Sequence, residues 1–198
     1  MAGLRQIQRQ RVHEAISAAA IRLFLARGFD EVPVAEIAAA AEVSKPTLFK
    51  YFATKEDLVL HRIADHQGEA ARVVRGTPGP PLEALRRHFL DGLARRDPVT
   101  GLNDDPEVVA YHRMVFGTPS LVARLFHHMS LDEGALAEAL AERMDDLTAA
   151  LVAGQVLATQ RVLARRNWAS LAEGRPLAEV EPEAVRAAER AFALLSTG

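Results

Sequence analysis

Between positions 45 and 55 the chain places Lys45, Pro46, Thr47, Phe49, Lys50 and Tyr51 on what reads as the outward side of one short helix, with Lys55 just beyond it. Cationic, hydroxyl-bearing and aromatic side chains on one surface are the chemistry that contacts phosphates and base edges in a DNA major groove. The element that must hold them is legible in the stretch VAEIAAAAEVSKPTLFKYFATK, residues 34–55. Val34, Ile37, Ala38 and Ala41 fall on one face of a first short helix, Glu42-Val43 form a turn, and Ser44 reads as the N-cap of a second helix. On that helix Leu48 and Phe52 are four apart and face the first helix. Short helical hairpins are common. The exposed chemistry, with Lys55 at the start of the next helix, is what marks this one as a helix-turn-helix.

Composition bounds the alternatives. With 198 residues, 49% of them apolar, the chain can bury a proper core as one or two small domains. No cysteine is present, so disulfides, thiol redox sensing and cysteine-ligated zinc are excluded. The polar, arginine-bearing segment after Met1 is the wrong chemistry for a signal peptide, and no apolar run reads as long as the roughly 20 residues of a membrane span. These features predict a cytoplasmic protein. The net charge of −2 conceals an asymmetry: residues 1–55 carry eight basic against five acidic residues, and residues 56–198 sixteen against twenty-one. A mildly basic head on an acidic body concentrates attraction for DNA at one end. His61, Asp65 and His66 include one i, i+4 pair, the spacing of paired metal ligands, but no third ligand of matching character lies nearby in sequence. The expectation is therefore no metal and no cofactor. There is no glycine-rich phosphate loop, nucleophile elbow or persuasive acid pair, which argues against an enzyme.

The remaining periodicity is helical. Val12, Ile16, Ala19, Ala20, Leu23 and Phe24 make one apolar stripe ended by Gly28. Thr54 with Asp57 three residues on predicts a cap opening a long helix through about 74. Further helices are expected at about 81–96, 105–116 and 119–129, over 132–172 with one interruption, and at about 183–195. That is an all-α chain of about nine helices, with no segment of period two.

Residues 9–60 resemble the N-terminal domain of the TetR family of transcriptional regulators. The resemblance is carried in order by Arg22-Leu23-Phe24, Arg27-Gly28-Phe29, Val34, Ile37-Ala38, Val43-Ser44, Thr47-Leu48-Phe49, Tyr51-Phe52 and Lys55-Glu56. It implies a three-helix DNA-binding domain at 1–55, with 1–10 as a flexible basic arm (Arg5, Arg9, Arg11), followed by a helical effector-binding and dimerisation domain at 56–198. It assigns Thr47, Tyr51 and Lys55 to the phosphate backbone and Lys45 and Pro46 to bases, with Lys50 suited to either. Three residues depart from the family pattern: Pro33 replaces a capping Ser or Thr, Glu42 a turn glycine, and Pro46 a residue that is often Gly or Arg. The resemblance further implies a homodimer built on the last two helices, with candidates Leu147, Leu151, Val156, Leu157 and Leu163 on one and Val185, Ala188, Phe192 and Leu195 on the other. It also implies a pocket for a small apolar or aromatic effector, for which Tyr111, His112, Met114, Val115, Phe116, Phe126, His127, Met129 and Trp168 have suitable chemistry. The function expected is a regulator, a repressor released from an inverted-repeat operator by its effector. The rival reading is a helical protein-interaction adaptor without sequence-specific DNA binding.

Overall fold

The computed structural model describes residues 2–64 and 66–196, with side chains from residue 6 onward except that of residue 64. Among the described residues there are ten α-helices, one 3-10 turn and no strand: α1 Ala2–Arg27, α2 Val34–Ala40, α3 Lys45–Tyr51, α4 Asp57–Ala64, α5 Glu69–Gly76, α6 Pro81–Ala94, the turn Pro98–Thr100, α7 Pro106–Gly117, α8 Pro119–Ala141, α9 Asp146–Ala172 and α10 Leu177–Ser196.

Ten helices replace the expected nine because the expected 57–74 helix is two. Gly68 takes φ 72° at the start of α5, and its N–H is held by Asp132 Oδ1 at 2.8 Å. The late break also moves. α8 runs through Ser130 and Gly134 to Ala141, and the interruption falls at 142–145 instead. There Asp145 caps α9 by accepting from Thr148 N at 3.0 Å. Arg143 donates to the carbonyls of Val74, Thr77 and Gly79 at 2.8, 3.3 and 3.0 Å, which satisfies groups left open as α5 ends. α10 begins at Leu177 and carries Pro182 inside it, six residues before the expected start. Helix α1 begins at Ala2, so residues 6–10 are helical where the sequence predicts a flexible arm; the side chain of Arg5 lies outside the described residues.

The chain forms two compact units. The first, Met1–Asp65 with Ala110–Leu125, has a core of Ile16, Phe24, Phe29, Ile37, Leu48, Phe52, Leu58, Val59, Leu60, Tyr111, Val115 and Leu121. Helix α1 packs on α2 and α4, and α2 on α3. The expected division at residue 55 would cut this core, because α4 supplies three fully buried residues, Leu58, Val59 and Leu60. Truncating Leu58 or Leu60 to Ala would cost about 2–5 kcal/mol.

The second unit, His66–Val109 with Phe126–Gly198, is centred on α6, α9 and α10. Leu85, Phe89, Leu93, Leu136, Leu140, Ala153, Val156, Ala188 and Phe192 are buried there. The 3-10 turn is pinned to α9 by a buried hydrogen bond from Asn167 Nδ2 to Thr100 O at 2.9 Å. Gly101 follows at φ 69°, where a Cβ would sit 1.9 Å from Ala164 O. Only glycine satisfies both the backbone angle and the approach.

Candidate nucleic-acid interface

The reading helix α3 is set by its cap and its buried side. Ser44 Oγ accepts from Thr47 N at 3.1 Å and lies 2.8 Å from Thr47 Oγ1. Pro46 sits in the first turn, where its missing N–H removes no helical bond. Leu48 and Phe52 are 0% and 2% exposed, so α3 is anchored by one face and presents the other. Lys45, Pro46, Phe49 and Lys50 are exposed, and Thr47 and Tyr51 are half-buried. Thr47 and Tyr51, four apart, share a face.

The turn between α2 and α3 is a Schellman C-cap. Val43 N donates to Ala38 O at 2.9 Å and Glu42 N to Ala39 O at 3.1 Å. Glu42 occupies the left-handed position of that motif at φ 54°, the place where glycine is usual. Glu42 therefore carries real backbone strain, and its exposed carboxylate flanks the start of α3. At the other end of α2, Pro33 is the N-cap and supplies no side-chain cap; Glu36 N and Ile37 N turn to its carbonyl at 3.1 and 3.4 Å.

After α3 the capping box expected from the sequence is present. Thr54 N donates to Asp57 Oδ2 at 3.1 Å and Asp57 N to Thr54 Oγ1 at 3.2 Å. Asp57 also holds Arg124 at 2.9 Å. Lys55, in the turn that opens α4, is less free than the sequence suggests. Its ammonium lies 4.6 Å from the Phe29 ring centroid and 5.5 Å from that of Phe24, with the Asp30 carbonyl 3.4 Å away. An ammonium over aromatic faces is held in place while two or more of its donors stay open. The sequence signal for this arrangement is Phe24 and Phe29 themselves, legible only once the fold brings position 55 to them.

The expected pocket residues divide between the units. In the first, Tyr111 is buried and its hydroxyl donates to Val59 O at 2.8 Å; burial pushes that phenol well above its ordinary range. His112 is buried, with ring centroids 6.0 Å from Phe116 and 5.8 Å from Tyr111, and burial holds its pKa down to about 4, so it is neutral near pH 7. Val115 is buried, and Met114 and Phe116 pack partly buried on the same core. In the second unit Phe126 is 53% exposed under the Arg161 guanidinium, 5.7 Å from the ring centroid. His127 is exposed, Met129 is half-buried, and Trp168 Nε1 donates to Val109 O at 3.3 Å.

The expected dimer residues split by face. Val156, Leu163, Ala188 and Phe192 are buried in their own unit's core, which removes them from the candidate interface. Leu157, Val185 and Leu195 are half-buried against that core. Leu147 and Leu151 are 70% and 57% exposed. Spacing along α9 adds Gly154, Ala158 and Val162 to their stripe, and Val162 is exposed, as is Leu194 on α10. One window of α9 has the length and apolarity of a membrane crossing, contrary to the expectation from the residues, and only 22% of it is buried. As for the histidines considered as metal ligands, His61 Nε2 lies 2.7 Å from Ser17 Oγ and His66 pairs with Glu69 at 2.7 Å; Asp65 lies outside the described residues.

A helix-turn-helix whose second helix is anchored by its apolar face and offers lysines, hydroxyls and an aromatic outward defines a DNA-reading protein on an all-helical scaffold. Residues 16–61 match the family model described as "Bacterial regulatory proteins, tetR family". The chain is 34% identical over 174 residues, 84% of its length and 76% of the relative's, to the HTH-type transcriptional regulator TcmR of Streptomyces glaucescens. In fold it is similar to NalD of Pseudomonas aeruginosa, the secondary repressor of the MexAB-OprM multidrug efflux pump (TM-score 0.63, 16% identity, 93% of this chain and 96% of that one). It is likewise similar to a TetR-family regulator of Streptomyces coelicolor (TM-score 0.56, 22% identity, 94% and 96%). The chain belongs to the TetR family. It is a DNA-binding transcriptional regulator, not an enzyme, and the family reads operators and answers small-molecule effectors.

Proposed function

We propose that this regulator is a cytoplasmic homodimeric repressor that holds an inverted-repeat operator and is released by a small apolar or aromatic effector. The observation that carries the DNA half of the reading is α3: Leu48 and Phe52 bury one side while Lys45, Pro46, Thr47, Lys50 and Tyr51 stand on the other. In this reading Thr47, Tyr51 and Lys55 hold phosphates and fix the register. Lys45 reads base edges, where guanine O6 and N7 accept, with Pro46 beside it and Lys50 serving either role.

The dimer half rests on α9. A helix that buries 22% of its most apolar window leaves a face that water does not favour, and Leu147, Leu151 and Val162 with the small residues Gly154 and Ala158 suit close packing by a second copy. Leu157, Val185 and Leu195, half-buried beside their own unit's core, remain further candidates. A protein cover of this kind accounts for the apolar window without a membrane. For the effector, Tyr111, His112, Met114, Val115 and Phe116 in the first unit and, separately, Phe126, His127, Met129 and Trp168 in the second remain candidates, with neutral His112 a polar handle that an apolar ligand tolerates.

Selection of the purified protein against a random duplex library at physiological salt tests the proposal. Enrichment of an inverted repeat with half-sites about one helical turn apart is the expected result. Binding without any sequence preference would shift weight to the adaptor reading.

A further inference from the structure

Gly28 ends α1 in the left-handed region at φ 93°, and its N–H donates to Phe24 O at 2.8 Å. That C-cap turns the chain back so that Phe29 meets Phe24, the apolar contact such caps favour. The two ring centroids are 4.9 Å apart with planes tilted by 46°, and the residues are only 5% and 1% exposed. Lys55, from the turn that opens α4, brings its ammonium to this pair, 4.6 Å from the Phe29 centroid and 5.5 Å from that of Phe24. Among the described residues the Asp30 carbonyl, at 3.4 Å, is its hydrogen-bond acceptor, and no carboxylate pairs with it. The acidic side chains of this region have other partners: Glu36 holds Arg27, and Asp57 holds the Thr54 N–H and Arg124.

A lysine can be held in two ways that leave different things behind. A carboxylate cancels its charge, and an arriving phosphate must displace that partner. Aromatic faces restrain the ammonium, keep its full charge and leave most of its three donors open. Ordering a long side chain on binding costs free energy, and a lysine already confined over two rings has less freedom to lose. We infer that Phe29, with Phe24 behind it, is a positioning residue for DNA binding: the two rings hold the Lys55 ammonium ready for a backbone phosphate. The inference rests on the assignment of Lys55 to a phosphate made above and adds the residues that act through it. It also separates two quantities. The charge that Lys55 brings sets how affinity depends on salt, whereas the order imposed by the rings changes affinity alike at every salt concentration.

The test is fluorescence anisotropy of the full chain with a labelled random-sequence duplex over a NaCl series, each protein being held well below its melting transition. The variants are Phe29→Leu, Phe29→Tyr, Lys55→Met and the double variant Phe29→Leu with Lys55→Met. Phe29→Leu is expected to bind about two- to ten-fold more weakly per reading head with its log–log salt slope unchanged. Phe29→Tyr, which keeps the ring, should bind like the wild type. Once Lys55→Met is in place, adding Phe29→Leu should weaken binding no further. A readout that needs no variant is the Lys55 ε-methylene resonance of the wild type. Ring currents should place it upfield of an exposed lysine's, and it should stay there on adding duplex. The resonance decides the matter even where Phe29→Leu does not fold. If Phe29→Leu weakens binding equally with and without Lys55→Met, its role is structural and the inference falls. It falls too if Phe29→Leu binds like the wild type while Lys55→Met does not, or if the resonance is that of an exposed lysine in the free protein or the complex. If Lys55→Met itself leaves affinity and slope unchanged, the phosphate assignment fails, and an upfield resonance then marks the two rings as a feature of the fold alone.

Discussion

Replacing Lys55 by Met removes an ammonium from a defined place and keeps most of the aliphatic stem. The ammonium stands 4.6 Å over Phe29 and 5.5 Å from the Phe24 centroid on a half-buried residue, a cation–π interaction worth about 0.5–1 kcal/mol to folding. The Asp30 carbonyl at 3.4 Å is long for a hydrogen bond and adds little. Stability should therefore fall by no more than about 1 kcal/mol in urea denaturation. The effect on DNA is larger. With one phosphate fewer neutralised by each head, the salt slope falls by about 0.9 per head and about 1.8 for two, which at 0.1 M salt amounts to roughly a 60-fold weaker complex. Anisotropy titrations between about 0.05 and 0.3 M NaCl measure slope and affinity together. A folded Lys55→Met protein with both unchanged would refute the assignment and leave Lys55 as a strut over two phenyl rings.

Three other outcomes follow from separate features. Gly101→Ala places a Cβ 1.9 Å from Ala164 O at a residue with φ 69°, so chemical denaturation should show a loss of about 3 kcal/mol or more, and a change below about 1 would mean the turn moves freely. Leu151→Glu, at a residue 57% exposed, should leave the melting of the monomer fold nearly intact while shifting sedimentation from dimer toward monomer; an unaltered dimer removes this stripe from the interface. His112 is held neutral with a pKa lowered to about 4, so the folded state binds fewer protons than the unfolded one below about pH 6.5. Stability should decline as pH falls from 6.5 to about 4, by on the order of 3 kcal/mol, and His112→Leu should flatten that decline. A wild-type protein whose stability is level across that window contradicts the burial argument.

The reading head is legible in the residues because each level of its sequence agrees. Ser44 caps α3 and Thr54 with Asp57 closes the next cap, both within three residues, and Leu48 and Phe52, four apart, mark the apolar side that packs into the core. Glu42 is legible as a conflict: a non-glycine where the motif turns, found at φ 54°. What the sequence hides depends on distant partners. The break at Gly68 needs Asp132, and the break at 142–145 needs the α5 carbonyls that Arg143 caps. Ser130 and Gly134 look like better stopping points, yet a helix packed along its length tolerates both. α9 is apolar on nearly every side, so periodicity cannot say that Val156 and Leu163 face inward and Leu147 and Leu151 outward. Pro182 looks like a start signal, but α10 continues through it with one backbone bond fewer. The basic leader reads as an arm because arginines and glutamines suit solvent; the same residues line a groove once α1 extends to Ala2.

The most direct measurement of the central claim is a competition between the duplex recovered by selection and the same duplex with both half-sites scrambled, at about 0.15 M salt. The account predicts that the intact site competes at least about a thousand-fold better, and that scrambling one half-site forfeits most of that advantage. Equal competition by both duplexes, from protein shown to be folded and dimeric, would contradict it.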